Sequence, residues 1–412
     1  MTRPVSNSTS PLLPVDGVRQ RLIDLAGSLA DTEKVPANAA LGRVLADDQV
    51  SQIDVPPGDN SAMDGYALNV AGGLVRSGVP VKVSARIAAG QVGEPLAPAT
   101  VARIFTGAEL PAGADSVIMQ EQTRIADDGV VLDRIPDVGE FVRSMGQDIR
   151  QQQLILESGT RLNAQHLGLL ASVGIAEVNV YRRLKIAVLS TGDELVEPGT
   201  LLQGGQIYNS NRPLLKGLIE GLGMECIDLG MVADDPKATE QALLEGADAA
   251  DCIVSSGGGS VGEEDYVKAA VEKLGDLQIW RIAIKPGKPL AFGSVKQTPF
   301  FGLPGNPVSV FVTFCILAKP YLMKFQGCRD VLPPVYRFKS DFAFAGSSRR
   351  EYLRVQTRPG PDGTMCVQQY PNQGSNILSS VVWSNALAVV DIGEQVIAGA
   401  LIDVHLFSDL LS

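Results

Sequence analysis

The most informative part of the chain reads Ser255-Ser256-Gly257-Gly258-Gly259-Ser260-Val261-Gly262-Glu263-Glu264-Asp265-Tyr266. A short apolar run over residues 251–254 leads into it, and apolar residues at helical spacing follow it over residues 266–274. A strand, a glycine turn and a helix in this order direct free backbone N–H groups towards an anion. The three acidic residues before the helix would repel a bare phosphate, however. The stretch therefore predicts a divalent metal ion that carboxylates hold against an anionic ligand.

The sequence around this stretch alternates between strand and helix patterns. Buried strands are predicted over residues 185–190 and 226–230, and helices over residues 213–222 and 236–246. This alternation is typical of a parallel α/β sheet, in which ligands bind at the carboxyl ends of the strands.

The regions on either side have other patterns, and together they predict a multidomain α/β and β fold. Helical spacing is expected over residues 15–29, with Asp16 as N-cap, and again over 41–50 and 162–173. Short β-like runs fill residues 56–140, and more of them follow residue 327, where helices are expected to stop. The predicted domains are an N-terminal helical and linker domain (15–55 with 141–182), an inserted small β domain (56–140), a central α/β domain (183–328) and a C-terminal β-barrel-like domain (329–412).

Composition narrows the class of protein. The 412 residues include 5% aromatic residues and have a net charge of −11. Both values argue against nucleic-acid binding, and the negative charge also argues against binding to anionic membranes. Five cysteines without a C-x-x-C pair and two histidines give no zinc site or disulfide framework, and suit a reducing compartment. No apolar run approaches the ~20 residues of a membrane span, and residues 1–14 lack the apolar segment of a signal peptide. These features predict a cytoplasmic protein.

Three further loops are expected at the ligand edge of the central sheet. Thr191 and Glu194 follow a predicted strand, and Lys285 and Lys288 flank a rigid Pro-Gly corner. Asn306 and Pro307 begin a helix, whose N-terminus attracts anions. Turn geometry alone explains each motif taken singly. Cations, carboxylates and a helix N-terminus on one edge together predict a binding site.

Polar residues outside the α/β domain have structural and functional interpretations. Asp59 and Asp64 lie in a long polar run that is explained by Asx-turns or by a site at a domain junction. Thr106 lies in a turn, and Asp148 adds a carboxylate where the chain returns to helix. For Arg350, at the start of a strand, and Ser375, in a turn, the structural alternatives are a surface salt bridge and the turn itself.

Five motifs occur in one order: residues 59–67, 190–195, 256–266, 285–289 and 302–307. Together they closely resemble the MoeA family of molybdopterin molybdenumtransferases and the E domain of gephyrin, over about residues 15 to 410. The resemblance implies an elongated four-domain homodimer with the active site in a cleft between subunits. It also implies insertion of molybdate into adenylylated molybdopterin with release of AMP, assisted by Mg²⁺. The partner proteins it implies are an adenylylating enzyme of MogA type and molybdoenzyme chaperones.

The resemblance further implies roles for individual residues. Catalytic roles fall on Asp59, Thr106, Asp148, Glu194, Asp265 and Lys285. Substrate-binding roles fall on Asp64, Thr191, Gly257, Gly258, Ser260, Arg281, Lys288, Pro289, Pro304, Pro307, Ser309, Arg350 and Ser375. Metal-binding roles fall on Glu194, Asp234, Asp235 and Asp265. The chain departs from the family at Gly259, where a β-branched residue is usual, and at Arg281, which keeps a basic charge but not its usual shape.

Two other functions are weighed against this one. An adenylylating enzyme uses a similar α/β domain, but that enzyme is a single small domain and lacks the flanking regions present here. A dimeric scaffold of gephyrin E-domain type, without turnover, is the non-enzymatic alternative. The presence of Lys285, Lys288, Glu194 and Asp265 argues against a chain that has lost catalysis.

Overall fold

The computed structural model describes residues 12–28, 31–257, 266–360 and 362–412. Most of the glycine-rich stretch, including Gly258, Ser260 and Asp265, therefore lies outside the described residues, as do Gly259 and the acids Glu263 and Glu264. The strand before the stretch, Cys252–Ser256, and the helix after it, Tyr266–Leu274, lie where the sequence predicts them.

A six-stranded sheet forms the centre of the molecule. Its strands lie in the order Glu225–Val232, Lys185–Thr191, Cys252–Ser256, Thr298–Leu303, Pro289–Val295 and Gly275–Arg281. The first four strands pair in parallel, as predicted, and the last two are added by antiparallel pairing. The reversal follows from the short connection between Val295 and Thr298, because a two-residue loop joins only antiparallel strands.

Helices cover both faces of this sheet. Alternate residues of strand Lys185–Thr191 enter different cores: Ile186 and Val188 face one side, and Ala187 and Leu189 the other. Helices Pro236–Ala249 and Tyr266–Leu274 cover one face. Helix Asn211–Gly221 and the long helix over residues 307–325, which has a π-helical segment at 314–318, cover the other. Burial on both faces explains the near-continuous apolar strands of the sequence.

The long helix over residues 307–325 is strongly apolar. In the described ranges it is the one helix with the length and hydropathy to cross a membrane, but 89% of its apolar window is buried inside the protein. We describe it as the core helix. The first helix, Val15–Leu25, packs on it through Val15, Val18 and Leu22, so this helix contributes to the central core although the sequence assigns it to the N-terminal domain. Its N-cap position is Pro14, without a side-chain cap, and Asp16 instead pairs with Arg19.

A closed barrel of five strands forms the C-terminal region. The strands are Tyr336–Ser340, Arg350–Pro359, Met365–Gln369, Ala386–Val390 and Leu401–Leu406, and pairing of the second with the fourth closes the ring. Strand Ile284–Lys285 of the central region pairs in parallel with the start of the second barrel strand. The expectation that helices stop after residue 327 is wrong, because short helices occur at Leu378–Trp383 and Phe407–Leu410.

The N-terminal half is built mainly from short strands. A four-stranded sheet contains Val83–Ile87, Val101–Ile104, Gly65–Leu68 and Ser116–Met119, and a three-stranded sheet contains Pro80–Val81, Gly129–Leu132 and Thr123–Ala126. Two-stranded pairs join Thr32–Pro36 to Glu177–Tyr181, Gln49–Val50 to Leu154–Leu156, and Asn60–Ser61 to Val142–Arg143. Helix Ala164–Ser172 is present, but the helix predicted over 41–50 is wrong: Gly42 takes a positive φ, and Val44 and Leu45 form β-bridges.

Candidate active site

A cleft of about 420 Å³ lies between residues 285–288, the start of the core helix and a turn of the C-terminal barrel. Residues 285–288 are called the lysine corner. The sequence predicts six of the residues that line it, namely Lys285, Lys288, Pro289, Pro304, Ser309 and Ser375. The other lining residues are Pro286, Gly287, Gly305, Asn306, Arg349, Gln373 and Gly374. The predicted residues Pro307 and Arg281 are not among the lining residues: Pro307 begins the core helix, and Arg281 ends an edge strand beside Pro289.

The two predicted lysines have different environments. Lys285 is 43% exposed, and its Nζ lies 3.2 and 3.1 Å from the two carboxylate oxygens of Glu351. Glu351, which the sequence interpretation missed, is only 3% exposed. Lys288 is exposed and has no ion-pair partner within the described part of the chain. The cleft therefore presents one anchored and one unpaired ammonium group.

Gly287 determines the shape of the corner between these lysines. Its φ of 110° lies in the region that residues with a Cβ rarely adopt, and a Cβ here would lie 2.4 Å from Cγ2 of Thr313. The close approach to Thr313 places the corner directly on the core helix. A residue with a Cβ at this position would therefore have to displace Thr313 or the corner itself.

The N–H groups at the start of the core helix are only partly free to bind an anion, in contrast to the sequence prediction. Asn306 is at the N-cap position, but its side chain makes no capping hydrogen bond. The backbone N–H of Val308 donates to the carbonyl oxygen of Ser375 at 3.0 Å, so the protein itself uses an N–H group that was expected to face an anion. This bond fixes the Ser375 turn against the helix that carries Ser309. The loop just before the core helix is also fixed, because Asn211 Nδ2 donates a 2.6 Å hydrogen bond to the Gly305 carbonyl.

The arginine at the cleft is Arg349 rather than the predicted Arg350. Arg350 pairs with Asp391 at 2.6 Å and with Asp16 at 2.8 Å, and these contacts direct it towards the first helix. Arg349 lines the cleft and donates to the Ile284 carbonyl at 3.3 Å. Arg349 lies in the bend just before strand Arg350–Pro359, whereas Arg350 and Glu351 are its first residues and point to opposite sides. The run of three charged residues at the start of a strand is the signal that could have identified Arg349 and Glu351 as further candidates.

Buried Arg354 supports the barrel side of the cleft. It is 1% exposed, and its guanidinium donates to Ser380 Oγ at 3.1 Å and to the Tyr352 and Gly374 carbonyls at 3.2 Å. Burial lowers its pKa to about 10, so it remains charged at neutral pH. The bond to Gly374 positions the turn that carries Ser375.

Of the predicted metal-binding residues, Glu194, Asp234 and Asp235 are described, and they lie in loops after the carboxyl ends of the central strands. Thr191 and Gly257 are adjacent there, since a Cβ on Gly257 would lie 3.0 Å from Oγ1 of Thr191. Asp193 and Asp234 each accept a 3.3 Å hydrogen bond from the other's backbone N–H, which brings the two loops together. Glu194 is exposed and folds its carboxylate over Gly192.

These carboxylates have the oxygen chemistry that suits a hard divalent cation. Asp235 instead caps helix Pro236–Ala249 by accepting from the N–H groups of Lys237 and Ala238. In the ranges that the structure describes, no group of three or more His, Cys, Asp or Glu side chains is placed to hold a metal ion. The described residues thus offer part of a ligand set at this edge, and Asp265 is not among them.

The predicted residues of the N-terminal half lie in loops and turns between its short strands. Asp64 Oδ1 accepts from both N–H and Oγ1 of Thr106 at 2.8 Å, and the Thr106 backbone bond is the main cause of the lowered Asp64 pKa. Asp59 accepts from the Met145 N–H at 2.8 Å. Asp148 is exposed, and its backbone N–H donates to the Val55 carbonyl. None of these four residues lines the Lys285 cleft of its own chain.

Comparison with known proteins identifies the family of the chain. The chain matches family models described as the MoeA N-terminal region (domain I and II) over residues 13–174, a probable molybdopterin binding domain over 187–324, and the MoeA C-terminal region (domain IV) over 337–407. It is 40% identical over 405 residues to the molybdopterin molybdenumtransferase of Haemophilus influenzae, covering 97% of this chain and 100% of the relative. The chain belongs to the MoeA family.

Other members of the MoeA family support the assignment over the whole length. The molybdopterin molybdenumtransferase of a Nostoc species is 37% identical, with 94% of this chain and 93% of the relative covered. A crystal structure of a molybdopterin biosynthesis MoeA protein from Pyrococcus horikoshii has a TM-score of 0.82 at 28% identity, covering 96% of this chain and 100% of that one. Membership of the MoeA family places this chain in molybdenum cofactor biosynthesis.

Proposed function

We propose that the chain inserts molybdate into adenylylated molybdopterin and releases AMP. The observation that carries this proposal is the convergence of Lys285, Lys288 and Arg349 on one cleft, beside the hydroxyl-bearing residues Ser309 and Ser375. A tetrahedral dianion is bound by fixed cations and hydrogen-bond donors of this kind. The name of the Haemophilus relative, a molybdopterin molybdenumtransferase, supports the same reaction.

The protein's own thiols are not placed to bind molybdenum. Cys315 and Cys328 are buried, and burial raises their thiol pKa to about 12 and about 11. None of the five cysteines is among the residues that line the cleft. The sulfur ligands of the metal would then come from the pterin, while the protein positions the oxyanion. Lys285 and Lys288 would orient it, and the Ser375 turn would close the barrel side.

A Mg²⁺ ion is the proposed cofactor. Glu194 and Asp234 would hold it together with Asp265, and when bound it would neutralise charge on the phosphate that is cleaved. Asp193 contributes by joining the two carboxylate loops. Thr191 and Gly257 would lie against the nucleotide end of the substrate, at the carboxyl ends of adjacent strands.

The proposal includes a homodimer that works in the cytoplasm. Asp59, Thr106 and Asp148 would then act at the cleft of the partner subunit, which is consistent with their absence from the Lys285 cleft of the same chain. An adenylylating enzyme of MogA type would supply the substrate, and molybdoenzyme chaperones would receive the product.

AMP release from adenylylated molybdopterin, with Mg²⁺ and with or without molybdate, tests the function. We expect release that depends on molybdate. Lys288→Ala should raise the molybdate concentration for half-maximal release about tenfold, because an unpaired cation at the oxyanion is lost. Lys296→Ala is the matched control, since Lys296 pairs with Asp248 away from the cleft. A folded protein that releases no AMP would favour the scaffold alternative.

A further inference from the structure

Glu351 is an unusual component of an anion site. Its carboxylate is 3% exposed and touches Lys285, whose Nζ lies 3.1 Å from one carboxylate oxygen and 3.2 Å from the other. Lys285 is the one ion-pair partner that Glu351 has among the described residues. A buried carboxylate needs such a partner, because an uncompensated buried charge is strongly destabilising.

The backbone fixes this carboxylate behind the lysine. Lys285 and Glu351 are register partners where strand Ile284–Lys285 pairs with the barrel strand Arg350–Pro359. On its other side, Glu351 is paired with Val390 of the barrel. Lys285 lines the cleft, whereas Glu351 does not. The carboxylate therefore reaches the lysine from the barrel strand, while Lys285 itself stays 43% exposed.

The charges around the cleft are mostly positive. Lys285, Lys288 and Arg349 line it, and buried Arg354 lies behind its barrel side. Glu351 brings a negative charge into contact with Lys285 and so offsets part of this positive charge. A neutral residue in its place would raise the Coulomb attraction of the cleft for a dianion such as molybdate.

We propose that Glu351 is a positioning residue that holds Lys285 in place and offsets part of its charge, so that the cleft binds the oxyanion loosely enough to release it to the pterin. This role rests on the proposed function, since an oxyanion that is transferred must leave its site. A cleft that only stored the oxyanion would gain from the extra positive charge. Lys288 and Arg349 would then attract the oxyanion, while the anchored Lys285 would orient it.

Oxyanion binding by the full-length protein tests this role directly. Equilibrium dialysis or calorimetry with molybdate, and separately with sulfate, should give a Kd about tenfold lower for Glu351→Gln than for wild type. Gln keeps the shape and can still accept a bond from Lys285. At saturating molybdate, the same variant should release AMP more slowly, because the oxyanion is held too tightly. Glu351→Asp withdraws the carboxylate by one methylene group and should tighten binding by a smaller factor.

Each outcome bears on the role of Glu351. A folded Glu351→Gln variant whose Kd is unchanged or higher would overturn it. Removing a carboxylate that serves only to support the fold would not tighten oxyanion binding. If that variant does not fold, Glu351→Asp decides in the same way. A wild-type chain that binds oxyanions but releases no AMP would remove the proposed function while the Kd comparison still tests the charge effect. A wild-type chain that binds neither oxyanion would overturn both proposals.

Discussion

At the scale of single residues, the lysine corner depends on a glycine. An alanine at Gly287 would be strained by the φ of 110° and would place its Cβ 2.4 Å from Thr313. We expect Gly287→Ala to lower the free energy of unfolding by about 3 kcal/mol and to weaken molybdate binding. Gly305 lines the same cleft and has no atom within 4 Å of its Cβ position, so Gly305→Ala is the control. Urea unfolding and molybdate titration that rank the two variants equally would contradict the steric argument.

Arg349 and Arg350 provide a second comparison between neighbouring residues. Arg349→Ala should raise the molybdate concentration for half-maximal AMP release about tenfold, because Arg349 lines the cleft. Arg350→Ala should leave that concentration within twofold, roughly, and instead lower stability by about 1–2 kcal/mol, because Arg350 bridges Asp16 and Asp391. Activity and thermal unfolding measured on both variants check this. The reverse pattern would restore Arg350 as the oxyanion ligand.

At the scale of secondary-structure elements, much of the fold follows from local pattern. Strands Met365–Gln369 and Ala386–Val390 lie in the region after residue 327 where short β-like runs predict strands, and Val367, Ala388 and Val390 enter the barrel core. The segment 41–50 has helical spacing, but its backbone forms β-bridges to distant residues, and Val44 and Leu45 are buried in two different cores. Local periodicity cannot report such partners.

For the candidate site too, the sequence predicts the local motifs but not the long-range contacts. The lysine corner and the Ser309 helix could be located because each is a local motif. Glu351 could not, since its role depends on a pairing between two regions of the chain. The hydrogen bond from the Val308 N–H to the Ser375 carbonyl is likewise a long-range contact. It connects the core helix to the barrel and uses an N–H group that the sequence had predicted to bind an anion.

The loop that leads into strand Val142–Arg143 gives a prediction for pH. Glu140 accepts from Arg134 Nη1 at 2.8 Å, and this pairing is the main cause that lowers its pKa from 4.5 to about 2. Because the folded pKa lies below the unfolded one, the pair stabilises the fold above pH 4.5, and this contribution is lost as the pH falls towards 2. Its side chain is 22% exposed, so solvent screening limits the effect to about 1 kcal/mol.

Glu140→Gln should therefore lower stability near pH 7 and reduce the loss of stability between pH 5 and 3, roughly. Unfolding midpoints measured across this range check the prediction. Glu94, an exposed carboxylate of the same region without an ion pair in the described residues, is the control. Identical pH profiles for Glu140→Gln and wild type would show that the pair contributes nothing.

At the scale of the whole molecule, the Lys285 cleft and the N-terminal carboxylates are separate within one chain. Asp148 is exposed and does not line that cleft, and Lys288 is exposed within it. If two subunits share each active site, Asp148 of one subunit acts with Lys288 of the other. At a molybdate concentration well below that for half-maximal release, we expect Asp148→Asn and Lys288→Ala each to reduce AMP release strongly when present on every chain. A mixed dimer of the two variants would contain one site with both substitutions and one site with neither.

Co-expression of the two variants with different affinity tags should therefore restore activity. Random pairing gives half mixed dimers, each with one intact site, so the mixture should reach about a quarter of wild-type AMP release. Isolated mixed dimers, purified through both tags, should reach about half. The control is Lys288→Ala with Arg349→Ala, which line the same cleft of one chain. Every site of that mixed dimer would carry one substitution, so activity should stay low. Equal activity of both mixtures would show that each cleft uses carboxylates from its own chain, because only a shared site separates Asp148 from Lys288 by subunit.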